Sequence, residues 1–304
     1  MTGSSFTIAT DIHAALSALA DGARPIAGGT DLVVGARQGK APLPQAIVAI
    51  DRIPELAAID RNDDGSLRIG STVTHAQLMA SVDIVDHYTA VADGAALVGS
   101  PATRHVGTLG GNVMNGSPAM DTGGSPLVVL DAEVELQNLN GSRRVTLDDL
   151  WVGPGRTSAA ADELCVGIHL PVRAPRSGSA YVRLEYRRAM EIAVVGAAAS
   201  VTLDGDKVAE AKIALTAVAP TIMLVQGIEA INGYEALNDG VLNAVAEAAA
   251  EQASPISDLR ASDTYRRHTV GVMARRAFEA AARRAAGDSI AVPVNRALGI
   301  GASA

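Results

Sequence analysis

Two glycine pairs, each flanked by short polar side chains, stand where a main chain can meet a phosphate. The first lies in Ile26-Ala27-Gly28-Gly29-Thr30-Asp31-Leu32. A glycine pair between a strand and a helix lets an anion approach the backbone closely, and the helix start turns free N–H groups toward it. This is neither a P-loop nor a GxGxxG fingerprint, because no Gly-Lys-Thr/Ser follows and no third glycine has the required spacing. The second lies in Thr108-Leu109-Gly110-Gly111-Asn112, continued by Asn115-Gly116-Ser117-Pro118 and Asp121. Successive N–H groups in such a loop predict an anion nest. Thr108, Asn112 and Ser117 add donors, and Asp121 adds an acceptor suited to a ribose or ribityl hydroxyl. Either pair alone also reads as a plain structural turn. Two of them in one chain point to a pyrophosphate held from both sides.

Other reactive side chains form no constellation. His13, His75, His87, His105, His169 and His268 show no metal-ligand spacing such as HExxH and read as surface or packing histidines. Neither glycine loop carries a histidine at a position suited to covalent attachment of a ligand. Cys165 sits in an apolar strand and reads as inert core. The pairs Arg266-Arg267, Arg275-Arg276 and Arg283-Arg284 recur on one helical stretch. They read equally as a solvated face or as a subunit contact.

The elements that must position the glycine loops follow from periodicity and punctuation. Thr10 is a candidate cap for a helix with Ile12, Ala15, Leu16 and Leu19 on its apolar face. Arg24–Ala27 reads as a strand, Leu32–Ala36 as a helix and Ala46–Ile50 as a buried strand. Asn62-Asp63-Asp64-Gly65 and Asn140-Gly141 are hairpin turns between strand-like runs. Residues 75–80 and 84–97 are helical. Thr103–Pro126 reads as a long, functional loop. Leu164–Leu170 closes this region as a strand, and 172–178 resembles a linker. Beyond it, 181–187, 192–203 and 208–218 predict three antiparallel strands. Helix is predicted from Thr221 onward, at about 238–253 and at about 262–286, before a tail-like end. These boundaries give a first region 1–175 (subdomains 1–55 and 56–175), a C-terminal domain 176–287 and a tail 288–304.

Composition limits the function classes. The chain has 304 residues, 48% hydrophobic and 19% charged, as ordinary globular proteins do. No apolar run is long enough for a membrane span, and the N-terminus lacks the regions of a secretory signal. A net charge of −8 and 3% aromatics disfavour nucleic-acid binding. One cysteine excludes an internal disulfide and any Cys-ligated iron–sulfur cluster held by this chain alone. It also fits a reducing compartment, the cytoplasm.

The chain resembles the FAD-binding medium subunit of the molybdenum hydroxylases, the aerobic carbon monoxide dehydrogenase and xanthine dehydrogenase type. The resemblance spans about residues 5–287. It rests on AGGTDL at 27–32, RHVGTLGGNVMNGSPAMD at 104–121, YRRAMEIAVVGAA at 186–198 and SDLRASDTYRRHTVGVMARRA at 257–277. It implies an α+β fold: a two-subdomain FAD-binding region of the PCMH type, then a C-terminal domain with a three-stranded antiparallel sheet and a helical bundle. FAD would lie extended in the cleft between the subdomains, its isoalloxazine facing the C-terminal domain.

By the same resemblance Ala27, Gly28, Gly29, Thr30 and Asp31 line the pyrophosphate and ribityl, with Ile26 and Leu32 at the loop's ends. Thr108, Gly110, Gly111 and Asn112 form the opposing loop, and Asp121 binds a cofactor hydroxyl. Cys165 and Val166 lie under the dinucleotide. Arg183 and Glu191 stand where the family commonly has lysine and aspartate. No catalytic residue of the chain's own and no metal site is implied. The implied partners are a large molybdopterin subunit and a small [2Fe–2S] subunit, arranged as a dimer of heterotrimers. The implied function is electron transfer from those clusters through FAD to an external acceptor. A free-standing flavin oxidase and a non-catalytic flavin-binding assembly subunit are the alternatives from other classes.

Overall fold

The computed structural model describes residues 4–300. The chain divides into two compact units: Met1–His75, Pro101–Gly116 and Ala132–Val172 in one, Ala76–Ser100, Ser117–Asp131 and Arg173–Ala304 in the other.

The first unit contains two main sheets. In one, the central strand Ala46–Ala49 pairs in parallel with Ser5–Ile8 on one side and Arg24–Ile26 on the other. The strand Ser5–Ile8 (Ser-Phe-Thr-Ile) alternates polar and apolar side chains, yet all four residues are exposed, and the sequence reading assigned it no element. The helix Ile12–Ala20 buries Ala15, Leu16 and Leu19 as its periodicity requires, but its cap is Asp11 rather than Thr10: Ala14 N–H donates to Asp11 Oδ1 at 2.8 Å. The second sheet has five strands. Leu164–Leu170 pairs antiparallel with Leu67–Gly70 and Glu133–Asn138, and the two expected hairpins add Ile59–Arg61 and Gly141–Thr146 at the edges. Leu164 and Val166 join Leu16, Leu19, Val48 and Leu56 in one apolar core. That burial gives the glycine loops a rigid base.

The expected loop over 103–126 is interrupted by helical turns. Short helices occupy Pro101–Arg104, Leu109–Asn115 and Ser125–Val128. Glycine-rich composition hid them, since glycine is a poor helix former on average. Local hydrogen bonds override that preference: Thr108 caps Leu109–Asn115 through its hydroxyl, and Trp151 Nε1 donates to Val113 O at 3.0 Å from within the core.

The second unit is built on an antiparallel sheet. The three expected strands are Ser177–Leu184, Val195–Asp204 and Lys207–Thr216, and a short fourth, Met223–Leu224, extends the sheet. That fourth strand and a 3-10 turn at Ile228–Ile231 replace the helix expected from Thr221. The helix Asp263–Ala285 packs on the sheet and Asp239–Gln252 packs on that helix, and together they seal an Ala- and Val-rich core. Small residues permit the close packing: a Cβ on Gly178 would stand 2.3 Å from Ala281 O, and one on Gly271 2.7 Å from Ala246 O. The segment expected as a tail carries a short helix, Val294–Ala297, with Val294 fully buried. Its last residues, 301–304, lie outside the described residues.

Candidate functional site

The two glycine segments meet in the first unit. A Cβ on Gly28 would stand 1.9 Å from Val106 O, so only glycine lets this backbone lie on the chain leading into the second segment. Gly29 has φ +67°, a left-handed conformation that turns the chain into the helix Leu32–Arg37. A Cβ on Gly107 would touch His75 and Thr30 at 3.3 and 3.4 Å, and Asn115 Nδ2 reaches Asp31 Oδ1 at 3.4 Å. The sequence reading of two facing loops is realised as direct contact.

Their hydrogen bonding differs sharply. The backbone N–H groups of Gly28, Gly29, Thr30, Asp31 and Leu32 meet no acceptor among the described residues. Five consecutive unpaired donors are free to meet an anion. In the second segment the donors are occupied: Leu109 N–H bonds Val73 O, Gly110 N–H bonds Ser71 O, Gly111 N–H bonds Thr108 Oγ1, and Asn112 N–H bonds Thr108 O. The expectation of a second N–H nest is therefore corrected. Gly110 and Gly111 are the second and third residues of a capped helix, and the cap satisfies what a nest would leave open.

The two glycines of this pair do different jobs. A Cβ on Gly110 would lie 2.5–2.9 Å from Ser71 Cβ, O and Cα, so Gly110 is small for packing. A Cβ on Gly111 would meet only Thr108 Oγ1, at 2.9 Å, and otherwise open space. Gly111 thus presents a bare backbone face. Ser71 and Thr72, beside Gly110, were not singled out in the sequence. Both are buried, and their hydroxyls have no hydrogen-bond partner among the described residues. Their signal was the polar Ser-Thr pair ending strand Leu67–Gly70, where a buried strand end would otherwise be apolar. Unpaired buried hydroxyls are uncommon in folded chains.

The titratable groups nearby are tuned by burial. His75 is buried, and desolvation, helped by the Arg104 charge, lowers its pKa to about 4, leaving it neutral. Asp31 is exposed by surface area, yet protein crowding around its carboxyl raises its pKa by desolvation while Lys40 pulls it back. Cys165 is buried in the strand Leu164–Leu170, and desolvation pushes its thiol up to about 12. Val166 lies at a register shift of that strand, its side chain in the core and its carbonyl taking Arg68 Nη2 at 2.9 Å. Cys165 and Val166 thus form a wall with no free polar side chain.

The remaining predicted residues lie in the second unit, in one buried network. Asp121 accepts from Tyr181 Oη at 2.7 Å on Oδ1 and from Arg183 Nη1 at 2.6 Å on Oδ2. Burial raises the Asp121 pKa, and the Arg183 charge and the Tyr181 hydroxyl oppose that rise. Arg183 has no exposed surface. Its Nε donates to Glu185 Oε2 at 2.8 Å, and Nη2 forms an ion pair with the same oxygen at 2.7 Å. That Nη2 contact lacks hydrogen-bond angles, which leaves a buried donor. Glu191 meets Arg183 through its backbone carbonyl at 3.3 Å, while its carboxylate pairs with Arg187 at 3.5 Å. Tyr181 and Glu185 were not singled out in the sequence; Tyr181 alternates with Arg183 on the strand Ser177–Leu184 and both reach Asp121, while Glu185, just past the strand's end, bonds Arg183.

The arginine pairs prove to be largely internal ties. Arg266 donates to Val194 O and pairs with Asp258, and Arg284 pairs with the fully buried Asp93 at 2.6 Å. Arg275 pairs with Asp239, and Arg283 with Asp288. The docking reading of this cluster is corrected for Arg266 and Arg284, which are committed within the fold.

Comparison with known proteins agrees with these features. Residues 2–173 match the model of the FAD binding domain in molybdopterin dehydrogenase, and residues 179–281 that of the CO dehydrogenase flavoprotein C-terminal domain. The chain is 32% identical over 286 residues to the xanthine dehydrogenase FAD-binding subunit of Escherichia coli O157:H7, covering 93% of this chain and 97% of that one. It is 32% identical over 273 residues to the carbon monoxide dehydrogenase medium chain of Hydrogenophaga pseudoflava, covering 90% and 94%. The solved carbon monoxide dehydrogenase from that organism superposes with a TM-score of 0.87 at 29% identity, covering 93% of this chain and 98% of that one. Quinoline 2-oxidoreductase from Pseudomonas putida 86 superposes with a TM-score of 0.85 at 25% identity, covering 92% and 97%. The two family models and these relatives place the chain in the family of FAD-binding flavoprotein subunits of molybdopterin-containing dehydrogenases.

Proposed function

We propose that this chain is the electron-relay subunit of such a complex. It holds one non-covalent FAD and carries electrons from [2Fe–2S] clusters on a small partner to an external acceptor. A large molybdopterin-bearing partner hydroxylates the substrate, and the whole is a cytoplasmic dimer of heterotrimers. The observation that carries the reading is the run of five unpaired N–H donors at Gly28–Leu32 in contact with the second glycine segment. Bound FAD supplies the redox chemistry; the chain binds, orients and electrostatically tunes it.

The residues present fit that cofactor. The N–H groups of residues 28–32 would hold the pyrophosphate, which the bare face of Gly111 lets approach. Thr108 Oγ1 accepts from Gly111 N–H, so its own proton remains to donate. Ser71 and Thr72 add two unsatisfied hydroxyls to the same unit. Asp121 uses one lone pair on each oxygen for Tyr181 and Arg183, and the others are left to accept a ribityl or ribose hydroxyl. Arg183 and Glu191 contribute as neighbours of that carboxylate. Neither glycine segment holds a nucleophile for covalent attachment, and His105, near the second, is bonded through Nδ1 to Pro101 O.

Among the described residues no cluster of His, Cys, Asp and Glu can hold a metal. One cysteine leaves any iron–sulfur cluster to another polypeptide. Relatives of this chain serve complexes named for carbon monoxide, nicotine and glyceraldehyde. One subunit type accompanying such different substrates supports placing substrate choice on the molybdopterin partner.

The test is anaerobic reduction. The purified chain should carry about one FAD, released by acid, as expected of a preformed cofactor site. Carbon monoxide, xanthine or nicotine added to the chain alone should leave the flavin yellow. The complete complex should bleach with its own substrate. Bleaching of the isolated chain at turnover rates would overturn the relay reading in favour of a free-standing oxidase.

A further inference from the structure

The segment after the long C-terminal helix packs on the residues just assigned to the cofactor. The matched family pattern ends at residue 281, before this segment begins. Within it Asn295 is 1% exposed. Its Oδ1 accepts from Arg183 N–H at 3.1 Å, and its Nδ2 donates to Arg183 O at 2.9 Å. Both backbone groups of Arg183 are therefore held by one side chain.

The chemistry of that contact is specific. Arg183 lies on Ser177–Leu184, which is the edge strand of its sheet. Opposite Gly196, it turns its N–H and C=O away from the sheet together. A carboxamide carries one donor side and one acceptor side in a single plane, so it closes this edge as a further strand would. The neighbouring residue fixes the register. Val294 N–H donates to Asp93 Oδ1 at 3.0 Å, and Val294 itself is fully buried. Asp93 is held from the other side by Arg284, whose Nη2 also reaches Ile290 O at 3.3 Å.

We propose that Asn295 is a positioning residue for the flavin site: through the Arg183 backbone it sets where the guanidinium meets Asp121. The proposal rests on the reading that Asp121 and Arg183 face FAD. Arg183 has no room to compensate, since its side chain is fully enclosed and bonded to Asp121, Glu185 and the Glu191 carbonyl. Removing the carboxamide leaves a buried N–H and C=O unpaired on the very residue that holds the carboxylate.

The test compares Asn295→Ala and the size-matched Asn295→Asp with Arg183→Lys and Asp121→Asn, all in the full chain. FAD dissociation constants and, at saturating FAD, the flavin midpoint potential and visible spectrum are measured beside thermal unfolding. The expected result is about tenfold weaker FAD binding in the Asn295 variants, the scale of a lost buried hydrogen-bond pair. Their potential should shift in the same direction as in Arg183→Lys. If Asn295→Ala does not fold, Asn295→Asp supplies the comparison. A lowered unfolding temperature with unchanged affinity, potential and spectrum would make Asn295 a structural strap only and overturn the proposal. If Arg183→Lys and Asp121→Asn also leave affinity and potential unchanged, the cofactor assignment itself fails, and the positioning role fails with it.

Discussion

Substituting the two helical glycines separately tests whether the cofactor meets the chain at Gly111. In Gly111→Ala the new Cβ would contact only Thr108 Oγ1, at 2.9 Å, the far end of a side chain that can rotate away. Losing the Thr108 cap costs about 1 kcal/mol, while Ala for Gly in a helix returns up to about 1 kcal/mol. Net stability should therefore change by less than about 1 kcal/mol, a shift of roughly 2–4 °C or less in unfolding midpoint. Gly110→Ala forces a Cβ to within 2.5–2.9 Å of the Ser71 side chain and backbone, so it should destabilise the fold by about 1–3 kcal/mol. FAD affinity should invert that order. A methyl group on Gly111 occupies the face open to the pyrophosphate and should weaken binding by about tenfold, and Gly111→Val by about a hundredfold or more, near 2.7 kcal/mol. Flavin fluorescence quenching on the apo chain gives the affinity, and calorimetry gives the stability. Wild-type affinity in both Gly111 variants would show that the cofactor does not approach this face, and the assignment of the second segment would fall.

Three further outcomes follow from the electrostatics and packing. His75 has a folded pKa lowered to about 4 by burial, against about 6.5 when unfolded, so the unfolded chain binds more protons between those values. Its contribution is complete above pH 6.5 and is lost as pH falls toward 4, roughly 3 kcal/mol in all; His75→Gln should flatten that slope in urea titrations from pH 4 to 7. Asp93→Ala leaves Arg284 buried without its carboxylate and frees the Tyr181 and Val294 N–H groups, so unfolding free energy should drop by about 3–5 kcal/mol; a loss below 1 kcal/mol in a denaturant series would contradict the pairing. Cys165, buried with its thiol pushed up to about 12, should resist a thiol reagent at pH 8 in the native chain and react on unfolding; rapid native labelling would refute its place in the core.

What was legible in the sequence was whatever local pattern alone decides. Apolar periodicity and Asx-Gly turns located the helix Ile12–Ala20, both hairpins and the three main strands of the C-terminal sheet. Elements whose stability comes from distant partners were not legible. Ser5–Ile8 is an exposed edge strand, held by pairing with Ala46–Ala49 and not by its own burial pattern. Val294–Ala297 is fixed by Asp93 and Arg183, far away in sequence, so its Ala- and Gly-rich surroundings read as a tail. Thr221 lost its predicted helix because the Met223–Leu224 backbone found a place beside Ala214 and Leu215 on the sheet edge.

The site divided along the same line, and the glycine pairs show why. Both have the sequence form of a phosphate loop, yet only one leaves its donors free. The difference lies in the residue two before the pair and in what stands behind it. Thr108 can cap, and Ser71 and Val73 offer carbonyls, so Gly110 and Gly111 close into a helix that spends its N–H groups. Ile26, at the matching position, cannot cap, and Gly28 rests on Val106 through its Cα, with no acceptor facing its N–H. Unspent donors in a folded chain are costly unless water or a ligand takes them. The first pair thus keeps its donors open, and the second spends its own while leaving a bare backbone face at Gly111. A search for successive glycines finds both; telling them apart requires knowing which acceptors the fold brings within reach.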